Sequence, residues 1–176
     1  MEVKNMLELR NVIRDVPDFP EKGILFRDIT PVLQSSEHLK LAIDEMAKKI
    51  DGLEFDLIAG PESRGFIFGV PLSYNLGKGF IPVRKKGKLP HETIEKTYNL
   101  EYGTATIEIH KDAITSGKKV VIIDDLLATG GTCRALVDLI EEVGGEVVGM
   151  VFLIELEALK GREIFENYNV HSILKY

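Results

Sequence analysis

Cysteine and long apolar runs are both scarce in this sequence. Cys133 is the one cysteine among 176 residues, so an internal disulfide framework cannot form. No apolar run approaches the roughly 18 residues needed to cross a bilayer. Charged residues interrupt residues 1–16, where a signal peptide would need an apolar core. These absences predict a cytoplasmic protein with no membrane partner.

Positive charge is also in deficit, because 22 Lys and Arg residues face 28 Asp and Glu residues and the net charge is −6. This balance argues against nucleic acid as the main partner. A small anion needs only a few cations, however, and the cluster Arg84–Lys88 can supply them.

Several common signatures are missing. The absence of G-x-x-x-x-G-K-[ST] and G-x-G-x-x-G removes the main support for a P-loop nucleotidase or a Rossmann dehydrogenase. No internal repeat or linker divides residues 1–176, which predicts a single domain. The histidines are scattered and lack the spacing of a metal site: His38, His91, His110 and His171.

Apolar spacing predicts the secondary structure. Helical spacing occurs over Ser36–Ile50, over Phe66–Leu76, and from Ala135 to Val143 before Gly144 and Gly145. Short apolar runs predict buried strands at Phe55–Ala59, Gly79–Val83, Val120–Ile123 and Val147–Ile154. The polar, turn-rich residues 84–103 predict a loop or hairpin excursion. Alternating strands and helices predict an α/β fold with a mostly parallel sheet, whose ligands bind beyond the carboxyl ends of the strands.

Residues 120–132 carry the most information about function. A buried strand is followed by Asp124 and Asp125, and a turn of small and hydroxyl residues then opens a helix. Helix N-terminal N–H groups favour phosphate, and two carboxylates can accept hydrogen bonds from a vicinal diol. Together these groups describe a ribose 5-phosphate site. A simple tight turn with helix-capping aspartates is the alternative. The candidate phosphate-binding residues are Ala128, Thr129, Gly130, Gly131 and Thr132.

Asp124–Thr132 resembles the phosphoribosyl pyrophosphate signature of type I phosphoribosyltransferases. Further segments resemble the adenine branch of that superfamily: Phe19–Pro31, Glu62–Phe66, Arg84–Pro90 and Leu100–Gly103. The resemblance implies a mostly parallel central sheet with helices on both faces, a small N-terminal hood (residues 1–35) and a flexible lid hairpin (residues 84–103). It also implies transfer of the 5-phosphoribosyl group from phosphoribosyl pyrophosphate to N9 of adenine in purine salvage, giving AMP and pyrophosphate, in a homodimer.

The resemblance assigns adenine recognition to three hood residues. Phe26 would stack on the base, while the backbone of Leu25 and Arg27 would read its N1/N6 edge. Stacking does not choose between bases, so backbone polarity has to supply the choice. The alternative is that Phe26 is a core residue.

Further roles concern pyrophosphate. The resemblance implies that the loop with Glu62 and Ser63 meets it through backbone N–H groups, and that Arg64 adds charge. Arg84 and Lys88 would close as lid cations and exclude water from an oxocarbenium-like centre. The alternatives are a surface ion pair for Arg64 and a solvated basic loop for the lid cations.

The resemblance makes Glu101 the acid/base candidate, because adenine must lose a proton as N9 attacks. A solvent-facing glutamate is the alternative. Asp124 and Asp125 would also stabilise positive charge at C1′. Cys133 fits a packing residue better than a catalytic thiol. We expect Mg²⁺ to bind mainly through the substrate diphosphate and water, with no dedicated protein ligand.

Three other functions are alternatives to adenine transfer. A related enzyme could take xanthine or hypoxanthine, but the Phe26 segment argues against it. A sensor that regulates transcription would need a DNA-binding extension, and the residues before Pro17 are too few and too little basic. A pure scaffold is disfavoured because lid, cradle and acid/base candidates occur together.

Overall fold

The computed structural model describes residues 2–99 and 103–176. They form two compact units, Met1–Lys48 and Lys49–Tyr176. The predicted hood falls within the first unit and the predicted lid segment within the second. No helix among the described residues is long and apolar enough to cross a membrane.

The first unit contains helices and a small antiparallel sheet. Its elements are α1 (Glu2–Val12), β1 (Arg14–Pro17), β2 (Leu25–Asp28), α2 (Thr30–Gln34) and α3 (Ser36–Lys48). α3 was expected from its spacing, and its Ala42, Ile43 and Met46 side chains are buried. α1 is absent from the sequence-based prediction because charged residues interrupt its apolar spacing, although Leu9 is fully buried.

The second unit is built on one sheet. Its strands are β3 (Leu57–Pro61), β4 (Gly79–Lys85), β5 (Thr93–Asn99), β6 (Thr104–His110), β7 (Lys119–Leu127), β8 (Glu146–Glu155) and β9 (Val170–Lys175). Its helices are α4 (Arg64–Leu76) and α5 (Gly131–Glu142), with 3₁₀ turns at Glu157–Leu159 and Gly161–Phe165. Over the described residues, the strand order is β5-β6-β4-β3-β7-β8-β9.

Strand direction confirms the predicted mostly parallel sheet. β4, β3, β7, β8 and β9 are mutually parallel, whereas β5 and β6 form an antiparallel pair joined to β4. β3 and β7 are direct neighbours, with Ala59 opposite Ile122. Because they run parallel, the chain segments at their carboxyl ends lie side by side.

Helices cover both faces of the sheet, as expected. The Phe80 ring lies 5.5 Å from the Phe66 ring of α4, while its neighbour Ile81 belongs to the apolar cluster that includes Leu136 of α5. Successive strand residues point to opposite faces, so α4 and α5 lie on opposite sides. This explains why every residue of Val120–Ile123 is buried.

The structure corrects the boundary of one predicted strand and gives the strand pairing of the predicted loop or hairpin excursion. β7 continues to Leu127 because its pairing with β8 extends through Asp124 and Leu126, so the two aspartates lie inside the strand and not after it. Residues 93–99 form strand β5 because they pair along their whole length with β6. β9 is absent from the sequence-based prediction, since polar residues such as His171 and Ser172 interrupt its apolar pattern.

Candidate active site

A cavity of about 240 Å³ lies where β3 and β7 end. It brings together predicted ligand-binding residues from separate segments: Glu62, Arg64, Asp124, Asp125, Ala128, Thr129, Gly130, Gly131 and Thr132. Ser63, Arg84 and Lys88 are not part of the lining formed by the described residues. Ser63 is the N-cap residue of α4, and the peptide bond joining it to Glu62 is cis.

The predicted phosphate cradle, residues 128–132, is the turn that leads into α5. Gly130 is the N-cap residue with φ 84°, a left-handed conformation that favours glycine. No described side chain caps this helix, so Asp124 and Asp125 do not act as its caps. The N–H groups at the start of α5 and the helix dipole therefore favour an anion at this edge of the cavity.

Asp124 and Asp125 place two neighbouring carboxyl groups in the cavity. Asp125 is 3% exposed, and its Oδ2 lies 3.0 Å from Nε of Arg64. The backbone N–H of Asp125 donates to Oδ1 of Asp124 over 2.8 Å. Burial and the neighbouring Asp125 raise the pKa of Asp124 well above its ordinary value. Burial also raises the pKa of Asp125, although Arg64 opposes the shift. The pair therefore resists holding two negative charges without a ligand.

The carboxylate of Glu62 forms ion pairs with both predicted lid cations, Arg84 and Lys88. Its Oε2 accepts from Nε of Arg84 at 2.9 Å, and its Oε1 lies 3.0 Å from both Nζ of Lys88 and the backbone nitrogen of Lys85. Burial opposes ionisation of this carboxyl, but the hydrogen bonds from Lys88, Lys85 and Arg84 outweigh it and lower the pKa to about 2. Arg84 and Lys88 are thus held beside the loop predicted to meet pyrophosphate.

A second carboxylate, Glu108, holds the backbone of the turn that carries the basic cluster Arg84–Lys88, called the basic turn below. Glu108 on β6 is 3% exposed, and its Oε1 accepts the N–H groups of Lys88 and Leu89 at 2.9 Å each. Burial opposes its ionisation, yet these backbone hydrogen bonds keep its pKa below the ordinary value. The basic turn is therefore anchored through Glu62 and Glu108, while its residues 85–88 remain exposed to solvent.

Tyr98 is a cavity residue that the sequence did not reveal. It lines the cavity from β5, and its hydroxyl accepts a 3.0 Å hydrogen bond from Oγ1 of Thr132. Its place depends on the pairing of β5 with β6, where Tyr98 lies opposite Ala105. Lys85 also lines the cavity, and the basic run Arg84–Lys88 was the signal that could have selected it.

Cys133 behaves as a packing residue, as predicted. It is buried, and its Sγ lies 3.5 Å from Sδ of Met150. Burial and the nearby Asp124 carboxyl raise the pKa of the thiol far above its ordinary value, so a thiolate nucleophile is disfavoured.

The predicted base-recognition residues lie on β2 of the first unit. Phe26 is half-buried, and its ring meets that of Phe19 edge to face at 5.2 Å. Arg27 forms an ion pair with Asp15 on β1. Leu25 and Arg27 are two positions apart in the strand, so their backbone groups point in the same direction.

Two further expectations concern the acid/base residue and metal binding. Glu101 lies outside the described residues. Within the part of the chain that the structure describes, no group of three or more His, Cys, Asp or Glu side chains could hold a metal ion.

Comparison with known proteins identifies the family. Residues 32–175 match the phosphoribosyl transferase domain. An adenine phosphoribosyltransferase from Lachnoclostridium phytofermentans is 63% identical over 171 residues, which cover 97% of this chain and 98% of the relative. The chain belongs to the adenine phosphoribosyltransferases. Members of this family join adenine to phosphoribose, so the predicted enzyme class is confirmed and the sensor and scaffold alternatives are set aside.

Solved structures of adenine phosphoribosyltransferases have the same fold. The crystal structure of the enzyme from Thermoanaerobacter pseudethanolicus superposes with a TM-score of 0.95 at 53% identity, covering 97% of this chain and 99% of that one. The Saccharomyces cerevisiae enzyme, complexed with adenine and an imino-altritol bisphosphate, gives 0.90 at 39% identity, with coverage of 97% and 99%. The predicted type I phosphoribosyltransferase fold is therefore confirmed.

Proposed function

We propose that the cavity beyond β3 and β7 binds phosphoribosyl pyrophosphate, and that N9 of adenine attacks C1′ of the ribose there. The N9–C1′ bond forms as the bond from C1′ to pyrophosphate breaks, giving AMP and pyrophosphate. The observation that carries this proposal is the convergence of the α5 N-terminus, two aspartates and Arg64 on one cavity.

In this proposal the 5′-phosphate occupies the cradle of residues 128–132. The turn offers backbone N–H groups, and Thr129 adds a hydroxyl. The Thr132 hydroxyl would exchange its hydrogen bond to Tyr98 for one to the phosphate. Asp124 and Asp125 accept hydrogen bonds from the ribose hydroxyls. Their negative charge also stabilises the positive charge that develops at C1′ as the pyrophosphate leaves.

Pyrophosphate is assigned to the loop after β3 and to the nearby cations. Arg64, Arg84 and Lys88 neutralise its charge, while the backbone of Glu62 and Ser63 faces it. The Glu62 carboxylate is an anion that already accepts hydrogen bonds from the basic turn, so its side chain serves to hold cations and not to bind phosphate. Closure of the turn over the diphosphate would exchange these ion pairs for phosphate contacts.

The carboxyl groups in the cavity are compatible with a Mg²⁺ ion that binds mainly through the substrate. Mg²⁺ commonly uses one or two carboxylates together with phosphate oxygens and water, and Asp124 and Asp125 provide two carboxyl groups in the cavity. When bound, the ion would neutralise the diphosphate leaving group.

Adenine is assigned to β2. Phe26 stacks on the ring, and the backbone of Leu25 and Arg27 reads the N1/N6 edge. A two-stranded sheet leaves half of the backbone groups of each strand directed away from its partner, which supports such reading. The adenine present in the yeast structure supports this choice of base. Glu101 is proposed to take the proton that leaves the imidazole ring.

A cytoplasmic homodimer is proposed as the working form. Support comes from α4, where Val70 is 47% exposed and Tyr74, one turn later, is 87% exposed. Large apolar side chains exposed at helical spacing fit a self-association surface. Sedimentation equilibrium of the parent and of Tyr74→Arg should show a dimer that dissociates more readily in the variant.

A panel of bases tests the reaction. Purified protein with phosphoribosyl pyrophosphate and Mg²⁺ should release pyrophosphate with adenine, and much more slowly with hypoxanthine or xanthine. Chromatography should identify AMP as the other product. Equal rates with a 6-oxo purine would contradict adenine recognition by the backbone of β2.

A further inference from the structure

The cradle turn rests against a second turn that lies about 30 residues later in the chain. A Cβ added at Gly161 would lie 2.1 Å from the carbonyl oxygen of Ala128 and 3.0 Å from the backbone nitrogen of Gly130. A Cβ added at Gly130 would lie 2.9 Å from the carbonyl oxygen of Gly161. The two backbones therefore touch with no side chain between them.

Arg162 holds the second turn in place. Its guanidinium donates to both oxygens of Glu155, at 2.9 and 2.5 Å, to the carbonyl oxygen of Val170 at 2.6 Å and to Oγ of Ser172 at 3.1 Å. Glu155 is 4% exposed and also accepts from Oγ of Ser172 at 2.7 Å. These bonds join the turn to the end of β8 and to β9, which pair with each other in the sheet.

Apolar contacts and a backbone hydrogen bond complete the support. The N–H of Leu156 donates to the carbonyl oxygen of Leu127 at 2.9 Å, just before the cradle. The ring of Phe165, which is 1% exposed, lies beneath Gly130. The segment from Leu156 to Phe165 thus contacts the cradle turn at Ala128 and Gly130 and the strand end at Leu127.

We propose that Gly161 and Arg162 are positioning residues for the 5′-phosphate: they hold the cradle turn from behind without touching the ligand. The proposal rests on the proposed function, because it takes the cradle of residues 128–132 as the phosphate site. Hydrogen bonds from backbone N–H groups to an anion depend steeply on distance and angle. A displaced backing turn therefore weakens phosphate binding even when every cradle residue is present.

Gly161→Ala is the primary test, with ribose 5-phosphate as the probe in calorimetry. The added methyl group has no space beside Ala128, so the cradle should shift and the affinity for ribose 5-phosphate should fall about tenfold or more. Gly145→Ala is the matched control. Its Cβ would lie 2.8 Å from Cγ2 and 3.0 Å from the carbonyl oxygen of Ile140, at the far end of α5. This control should lose stability but keep its affinity within about twofold.

Arg162→Lys provides a second variant should Gly161→Ala not fold. Lysine keeps the charge but loses the planar fork that bridges Glu155, Val170 and Ser172. The KM for phosphoribosyl pyrophosphate should rise about tenfold, while the KM for adenine and the kcat at saturation stay within about twofold.

Three outcomes would overturn the proposal. Gly161→Ala could bind ribose 5-phosphate as well as Gly145→Ala does, which would show that the backing turn has no influence on the cradle. Arg162→Lys could raise both KM values equally, which would indicate general destabilisation. A parent protein that fails to bind ribose 5-phosphate would remove the cradle assignment itself, and so is distinguishable from the other two.

Discussion

Nε of Arg64 lies 3.0 Å from Oδ2 of Asp125, so an ion pair joins the start of α4 to β7 at the cavity. The arginine assigned to pyrophosphate and the aspartate assigned to ribose therefore share one contact. A substrate that binds both side chains must therefore weaken this ion pair or form its hydrogen bonds beside it.

Asp125→Asn should weaken binding of phosphoribosyl pyrophosphate while the fold survives. Loss of a charged hydrogen bond costs about 1.5–3 kcal/mol, which corresponds to one to two decades of affinity. Calorimetry with ribose 5-phosphate and with pyrophosphate should show the larger loss for the sugar phosphate. Asp56→Asn is the control, because Asp56 pairs with Lys118 and accepts the N–H of Lys119 at the opposite end of β7. Unchanged sugar-phosphate binding in Asp125→Asn would remove the diol assignment.

Glu62→Gln should change the pH dependence of stability. The folded pKa of about 2 lies below the ordinary value of 4.5. The ionised carboxylate therefore stabilises the fold above about pH 4.5, and this contribution is lost as the pH falls from about 4.5 towards 2. Urea unfolding near neutral pH should show the variant less stable by about 1–3 kcal/mol, with the difference shrinking as the pH falls through this window.

Glu157→Gln is the matched control for that measurement. Glu157 pairs with Lys175 at 3.0 Å on the surface, where both side chains are about half exposed. Exposed pairs contribute about 0–1 kcal/mol, so this variant should remain close to the parent. A pH-independent difference between Glu62→Gln and the parent would contradict the assigned pKa.

Lys88→Ala should impair closure of the basic turn over pyrophosphate. Hydrogen exchange in the parent should slow over residues 84–98 when phosphoribosyl pyrophosphate and Mg²⁺ are added, and the variant should show less slowing. Lys86→Ala is the control, because Lys86 pairs with exposed Glu95 in the same hairpin and not with Glu62. Equal exchange over these residues in free and liganded parent protein would show that the segment is not a lid.

Phe26→Leu should raise the KM for adenine. Stacking on an aromatic ring contributes about 1–3 kcal/mol per base, or roughly five- to 150-fold in affinity. The preference for adenine over hypoxanthine should persist, since the backbone of β2 supplies it. Phe19→Leu should have a smaller effect, because Phe19 contacts Phe26 only edge to face. Comparable effects of both variants would argue that Phe26 has a packing role.

Glu101→Gln tests proton transfer. The variant keeps size and hydrogen bonding but loses basicity, so the chemical step should slow by about 10²–10⁴-fold. Single-turnover kinetics is the measurement, because steady-state rates can report product release. Glu95→Gln, on β5, should match the parent. A single-turnover rate for Glu101→Gln within about threefold of the parent would leave the proton to solvent or to a phosphate oxygen.

Features contained in short stretches of chain were predictable from sequence. Val120–Ile123 forms a buried strand, and the turn Ala128–Thr132 opens α5. β-branched residues, glycines and hydroxyl groups act on their own backbone and near neighbours, so their order along the chain is sufficient. The boundaries of β7 were not predictable in this way, because its pairing with β8 carries it past the aspartates.

Contacts between distant segments required the folded chain. Tyr98 reaches Thr132 only through the register of β5 on β6. Glu108 anchors the basic turn from a strand where alternation alone gives no reason to expect a buried carboxylate. The sequence gives no sign that Gly161 must be glycine. The requirement comes from the Ala128 carbonyl oxygen, which packs against Gly161 in the folded chain.

The sequence by itself determined the chemical groups that this protein has available: a Gly- and Thr-rich turn beside two carboxylates, a cluster of cations and an aromatic residue in an N-terminal segment. Each of these groups lies within a few consecutive residues of the sequence. Only the tertiary structure decided which charged side chains form ion pairs. It pairs Arg64 with Asp125, and both Arg84 and Lys88 with Glu62. The reason is physical: the energy of an ion pair depends on separation and burial, and strand pairing sets both between residues far apart in the chain.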